Sequence, residues 1–305
     1  MSRHVITISE LGDRDLHAIL DAARAPLDDS LLAGQGVALV FERPSLRTRA
    51  ACSSAVHELG GYVTFFGDDE IGLDARESAE DVGRTIDALY SVCAMRIRRH
   101  SVFHRIRSAT KDRLSLVNLL SDVAHPTQAI ADVLTIADHF TNGDPGQLAG
   151  LRVAYVGDAT NVTRSLAVAL TRLGAEVVVG APEGYQLTAG TDEDPLTVEG
   201  AKLRLTTSAS DAVRDADVVY TDAWVSMGYE DQTQQRRTDL ADFRVDETLL
   251  DGASPDAVVL HCLPAHRGDE ITDGVMDGPR SLVWQQVTHR RSAMIGALRW
   301  IKDGE

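Results

Sequence analysis

Val37-Ala38-Leu39-Val40-Phe41-Glu42-Arg43-Pro44-Ser45-Leu46-Arg47-Thr48-Arg49 reads as a buried strand, a turn at Pro44 and a helix opening at Ser45. A helix start is an anion site, because its first N–H groups lack partners and the helix dipole favours negative charge. Ser45 and Thr48 add hydroxyls there, and Arg47 adds a planar fork suited to phosphate. The stretch points to a phosphate-bearing substrate. Its bland alternative is Ser45 as a simple N-cap with the arginines on a solvated face. A Walker loop is excluded, since no glycine-rich loop is present and no lysine stands beside Thr48.

The same alternation recurs along the chain. Strand-like runs at Val37–Phe41, Tyr62–Phe66, Ser91–Ile97 and Leu114–Leu120 alternate with helical patterns at Ser45–Leu59, Ser78–Tyr90 and Val102–Ala109. A helical pattern over Thr127–Phe140 leads to the break Thr141-Asn142-Gly143-Asp144-Pro145-Gly146. Strands are then expected at Leu151–Val156, Glu176–Gly180, Leu203–Thr206, Val218–Thr221, Ala257–His261 and Ser281–Trp284, with helices at Val162–Leu173 and Val287–Ile301. This predicts an α/β fold of two successive doubly wound parallel-sheet domains, with the active site in the cleft between them. The expected domains are 1–136 and 137–286, the C-terminal helix 287–305 packing back on the first. The polar segment from Ser226 to Asp239 reads as a loop long enough to form a lid.

Composition narrows the function classes. The 305 residues carry 46 acidic and 30 basic side chains, a formal net charge of −16. That argues against nucleic acid and anionic membrane as partners. Only Lys111, Lys202 and Lys302 are lysines; the other basic residues are arginine. An acid-rich, lysine-poor surface suits concentrated salt. No run approaches 18 apolar residues, the start resembles no signal peptide, and three cysteines form no framework. A cytoplasmic protein is expected.

In open parallel sheets ligands sit at the carboxyl ends of strands. Arg96 ends one apolar run, although the arginines after it also fit a solvated basic face. His125-Pro126-Thr127-Gln128 opens a helix, with Pro126 at the favoured first position and His125 as donor or cap. Gly157-Asp158-Ala159-Thr160-Asn161 lacks the spacing of a dinucleotide loop, and Asn161 either caps the helix or binds a carboxylate. Asp222-Ala223-Trp224-Val225-Ser226-Met227-Gly228 sets a carboxylate for an ammonium group, a hydroxyl and an apolar slot after a strand, or is an ordinary acidic loop. His261-Cys262-Leu263-Pro264 follows another strand. Neighbouring side chains on a strand point to opposite faces, so His261 is poorly placed as a base for Cys262.

Together, in this order, these segments resemble the aspartate/ornithine carbamoyltransferase family over essentially the whole chain. Ser45-Leu46-Arg47-Thr48 and His125-Pro126-Thr127-Gln128 match its carbamoyl phosphate motifs; Asp222 to Gly228 and His261 to Pro264 resemble its ornithine branch. The resemblance implies carbamoyl transfer from carbamoyl phosphate to L-ornithine, without a metal or cofactor, by a homotrimer or an assembly of trimers. It implies Thr48, Arg96, His125 and Cys262 as catalytic residues. Carbamoyl phosphate would be held by Ser45, Leu46, Arg47, Thr48, Arg96, His125, Gln128, Cys262, Leu263 and Arg290. Asn161, Asp222, Ser226 and Met227 would hold ornithine. One departure stands out: Gly72 occupies a position where the family usually has glutamine, in a loop that a neighbouring subunit lends. A sister enzyme acting on putrescine or an acylated ornithine, and a non-catalytic binding paralogue, are the alternatives.

Overall fold

The apolar run 37–41 is buried from end to end and forms β1 (Gly36–Phe41). In the computed structural model, which describes residues 2–225 and 230–304, it pairs in parallel with β2 (Tyr62–Gly67) and β3 (Val92–Arg96). β4 (Ser115–Leu120) extends the sheet, whose order is β2-β1-β3-β4. Helices Leu46–Glu58, Ala79–Leu89 and Ser101–Thr110 make the crossovers. Near-continuous apolar strands are what a parallel sheet covered on its faces requires.

The second sheet holds β5 (Arg152–Val156), β6 (Glu176–Gly180), β7 (Lys202–Thr206), β8 (Val218–Thr221) and β9 (Val258–His261). All its pairings are parallel and its order is β7-β6-β5-β8-β9. The chain divides into two compact units, Met1–Ala131 with Thr288–Glu305, and Asp132–Val287. Each has its own apolar core, one including Val40, Met95, Phe103 and Ile106, the other Val156, Val219, Val259 and Ile271.

Each sheet has one switch point, where the strand order turns from one side to the other: between β1 and β3, and between β5 and β8. Ligands of open α/β sheets bind beyond the strand ends at such points. Ser45–Thr48 and Arg96 follow β1 and β3; Asp158–Asn161 and Asp222 follow β5 and β8.

Two expectations are corrected and one helix is new. Ser281–Trp284 is not a strand: Ser281 makes one isolated bridge to Val259, and the helix Val283–Lys302 starts there, four residues before Val287. The apolar run misled because Val283 is buried while Trp284, 60% exposed, already points off the first helical turn. Of the segment expected as a loop from Ser226 to Asp239, the described part, 230–239, is not a plain loop, since Thr233–Asp239 is a helix; residues 226–229 lie outside the described residues. The helix Asp13–Arg24 was not anticipated, although Leu16, Ile19 and Leu20 carry its buried stripe at helical spacing.

Candidate active site

Ser45 adopts an extended conformation at the N-cap of Leu46–Glu58, but its side chain does not cap that helix. Its hydroxyl donates instead to Thr48 Oγ1 at 3.0 Å. Arg290 Nη2 donates to the same oxygen at 2.6 Å. A hydroxyl oxygen has two lone pairs and one proton. With both lone pairs engaged, the Thr48 proton is left for an acceptor, so Thr48 is set as a donor. Leu46 is 78% exposed, and only its backbone belongs to the helix start.

Arg96, at the end of β3, is buried, as are His125, Gln128 and Arg290. Three arginines downstream of Arg96 pair with acids: Arg98 with Asp68, Arg105 with Asp74 and Glu80, Arg107 with Glu10 and Asp112. Arg96 differs from them in being buried, so it does not lie on a solvated face. Arg96 is positioned by a register shift between β3 and β4 at Met95/Arg96. Burial first, then the charges of Arg290 and Arg96, hold the His125 imidazole well below its usual range. At neutral pH it is an uncharged donor or acceptor beside two guanidinium groups. Gln128 lies on the first turn of Pro126–Phe140, its N–H bonded to the His125 carbonyl at 3.1 Å. A small hollow beside Thr48 and Arg290 is also lined by Thr127 and Cys52. The first unit thus brings together Ser45, Thr48, Arg96, His125 and Arg290, with the half-buried Arg47 on the same helix start.

In the second unit the Cys262 thiol donates to Asp222 Oδ1 at 2.7 Å, and the Ala223 N–H reaches the same oxygen at 2.7 Å. Burial raises the Asp222 carboxyl, with His261 and the two donors opposing. The helix Asn161–Arg172 has Thr160, not Asn161, at its N-cap position. Asn161 is half-buried on the first turn, where its Oδ1 accepts from the Val162 N–H at 2.9 Å. Ser226 and Met227 lie outside the described residues.

The segment after β9 is braced by residues the sequence did not single out. Leu263, at φ 60°, donates its N–H to His261 Nδ1 at 2.8 Å, which makes Nδ1 the acceptor. The other ring nitrogen then carries the proton and donates to the buried Glu270 at 3.0 Å. Both nitrogens are engaged away from Cys262. The His261 N–H is taken by Gln286, which in turn donates to Asp132 at 2.6 Å. Glu270, Gln286 and Asp132 belong to no motif, so only their buried polar character could have signalled them.

Comparison with known proteins adds lineage to geometry. Residues 3–138 match the aspartate/ornithine carbamoyltransferase carbamoyl-P binding domain, and residues 149–301 match the Asp/Orn binding domain of the same family. The chain belongs to the aspartate/ornithine carbamoyltransferase family. It is 37% identical to an ornithine carbamoyltransferase of Methanoculleus marisnigri, over 96% of this chain and 94% of that one. Identity is also 37% with an ornithine carbamoyltransferase of Haloquadratum walsbyi, over 97% of each. The structure of ornithine carbamoyltransferase from Pyrococcus furiosus superposes with a TM-score of 0.91 at 34% identity, covering 100% of this chain and 98% of that one. Two parallel α/β units are therefore a fold shared with that structure.

Proposed function

We propose that this chain transfers the carbamoyl group of carbamoyl phosphate to the δ-amine of L-ornithine, giving L-citrulline and phosphate. The observation that carries this reading is the Thr48 hydroxyl, held by Ser45 and Arg290 as a donor at the first switch point. The family and the ornithine carbamoyltransferases among its relatives support the same reaction.

In this reading the first unit holds carbamoyl phosphate. The helix start at Ser45-Leu46-Arg47-Thr48 takes the phosphate, whose charge Arg47 matches. Arg96, Thr48, His125 and Arg290 surround the carbamoyl oxygen, and Gln128 accepts from the carbamoyl amino group. The second unit holds ornithine: Asp222 takes the α-ammonium, Asn161, Ser226 and Met227 seat the rest of the head, and Cys262 and Leu263 orient the δ-amine. The neutral δ-amine attacks the carbamoyl carbon and a tetrahedral oxyanion forms. Donors fixed on that oxygen cost no reorganisation, and losing one typically lowers the rate about 10²–10³-fold. The C–O bond to phosphate then breaks, and the leaving phosphate accepts the proton that the amine sheds. Cys262 acts as a donor to Asp222 and not as a nucleophile.

The finer assignments belong to the same proposal. A homotrimer or an assembly of trimers is supported by β2, an outermost strand with Tyr62 exposed and Phe65 and Phe66 half-exposed, an edge that a partner would cover. Salt adaptation and a cytoplasmic setting are supported by the −16 charge, the scarcity of lysine and the lack of a disulfide framework. Citrulline formation with ornithine, putrescine, N-acetylornithine or aspartate in molar KCl tests the reading. Product from ornithine alone is expected. Product from another amine only would overturn the ornithine half, and silence from folded protein would overturn the whole.

A further inference from the structure

Arg236 lies in the short helix Thr233–Asp239 and is buried. Its Nη1 donates to Asp158 Oδ2 at 2.5 Å and to the Trp224 carbonyl at 3.0 Å. The guanidinium also lies over the Tyr185 ring, 5.3 Å from the centroid, and the Tyr185 hydroxyl donates to Asp239 at 2.9 Å. This cation reaches Asp158, at the second switch point, from the segment expected as a lid.

Asp158 follows β5 and Asp222 follows β8, and these strands are neighbours. Burial raises the Asp158 carboxyl, Arg236 opposes that rise, and the charge of Asp222 adds a lesser push in the same direction as burial. Glu270, the next acid along, is already engaged by His261. Two carboxylates and one guanidinium leave a single net negative charge at these strand ends. Breaking a buried pair by removing one partner leaves the other charge uncompensated.

We propose that Arg236, by cancelling Asp158, sets the charge of the amine subsite and so makes it select an amino acid head over a bare diamine. This rests on the carbamoyl transfer reading above. The head of ornithine carries an ammonium and a carboxylate and is neutral overall. The free end of putrescine is a lone cation. One uncancelled carboxylate, Asp222, matches the ammonium and tolerates the adjoining carboxylate. A second uncancelled carboxylate would attract the diamine more strongly and repel the ornithine carboxylate. Arg236 is thus a specificity-setting residue that need not touch substrate.

The test uses the full chain at pH 8.5 and measures carbamoylation of L-ornithine and of putrescine by the wild type, R236M, D158N and the double variant. The readout is the ratio of kcat/KM for ornithine to that for putrescine, which is independent of the folded fraction. R236M should lower the ratio at least tenfold, D158N should raise it at least fivefold, and the double variant should return within twofold of wild type. A structural role alone would lower both activities together and leave the ratio unmoved, which would overturn the proposal. If R236M does not accumulate, D158N against the double variant still isolates the Arg236 charge, and equal ratios there would overturn it. Absence of citrulline from the wild type would instead sink the carbamoyl transfer reading, a distinct outcome.

Discussion

The Cys262 thiol donates to the Asp222 carboxylate at 2.7 Å, so a cysteine beside a histidine serves an acid and not the histidine. The two residues sit at the ends of neighbouring strands, β9 and β8. The thiol partly compensates a carboxylate that burial would otherwise drive towards its neutral form.

Asp222→Asn should separate binding from stability. The raised carboxyl means that the folded state holds its proton more tightly than the unfolded chain does. Wild-type stability from this group therefore falls as pH rises from the ordinary carboxylate range through the raised value. The asparagine variant lacks that loss and should melt at the same or a higher temperature at pH 7.5, with the difference shrinking towards pH 4. Its KM for ornithine should rise about ten- to a hundredfold, the worth of one charge-assisted bond of roughly 1.5–3 kcal/mol. KM for carbamoyl phosphate should stay within twofold. A variant less stable at every pH would contradict the account.

Thr48→Val removes the oxygen on which Ser45 and Arg290 converge. Two donors lose a shared acceptor and the proposed reaction would lose one oxyanion donor, so kcat should fall about 10²–10³-fold. Thr48→Ser keeps the hydroxyl and should recover most of the rate. Steady-state kinetics of both variants decide this, and a serine variant as slow as the valine one would overturn the assignment of the effect to the hydroxyl.

His125 carries the opposite sign to Asp222. Its folded form resists protonation, whereas the unfolded chain takes the proton as pH falls below about 6.5. Its contribution is intact above that pH and is lost as pH falls, by at most about 1.4 kcal/mol per pH unit. His4, lowered to about 4 chiefly by burial, adds in the same direction. Denaturation of the wild type and of His125→Asn between pH 7.5 and 5 should show the smaller loss in the variant. Parallel curves would mean that His125 is not held neutral.

Much of this was legible because the strand-end rule and the apolar alternation are local. β1 and the Ser45 helix start follow directly from residues 37–49. The switch points were not legible, because strand order depends on which crossovers pack on which side. Nor were the partners of the motif residues: Arg290 meets Thr48 across 242 positions, and Arg236 meets Asp158 across 78. The strand expected at Ser281–Trp284 failed for a related reason, since a short apolar run fits a strand or a buried helix start equally well. What decided it was Val259 taking up Ser281 as a single bridge.

Salt should act on stability more than on substrate capture. At 1 M the screening length is about 3 Å, which mutes repulsion among the acidic groups. The melting temperature should rise from low to molar KCl, while KM for carbamoyl phosphate should change little, because buried Arg96 and Arg290 are screened less than surface charges. A melt unchanged or lowered by salt would remove the case for salt adaptation, and a steep rise in KM would indicate long-range steering.

Gly72, expected from the family resemblance to stand in place of a glutamine, holds a backbone conformation that favours glycine. It caps the short helix Asp68–Ile71 in the left-handed region, φ 52° and ψ 56°, and a Cβ there would lie 2.9 Å from Arg76 Cβ. The loop that follows is tied down by Arg105, which binds Asp74 through both terminal nitrogens and also holds Glu80. A glutamine at 72 would meet both the left-handed penalty, roughly 1–2 kcal/mol, and the crowding against Arg76. Gly72→Gln should therefore speed hydrogen exchange of residues 68–78 and lower the melting temperature modestly. If the loop lends nothing essential at this position, kcat of Gly72→Ala, where the smaller side chain tests strain alone, should match that of the glutamine variant. A glutamine variant faster than the alanine one would mean that this loop still takes part in the chemistry and that the glycine relinquished a contact.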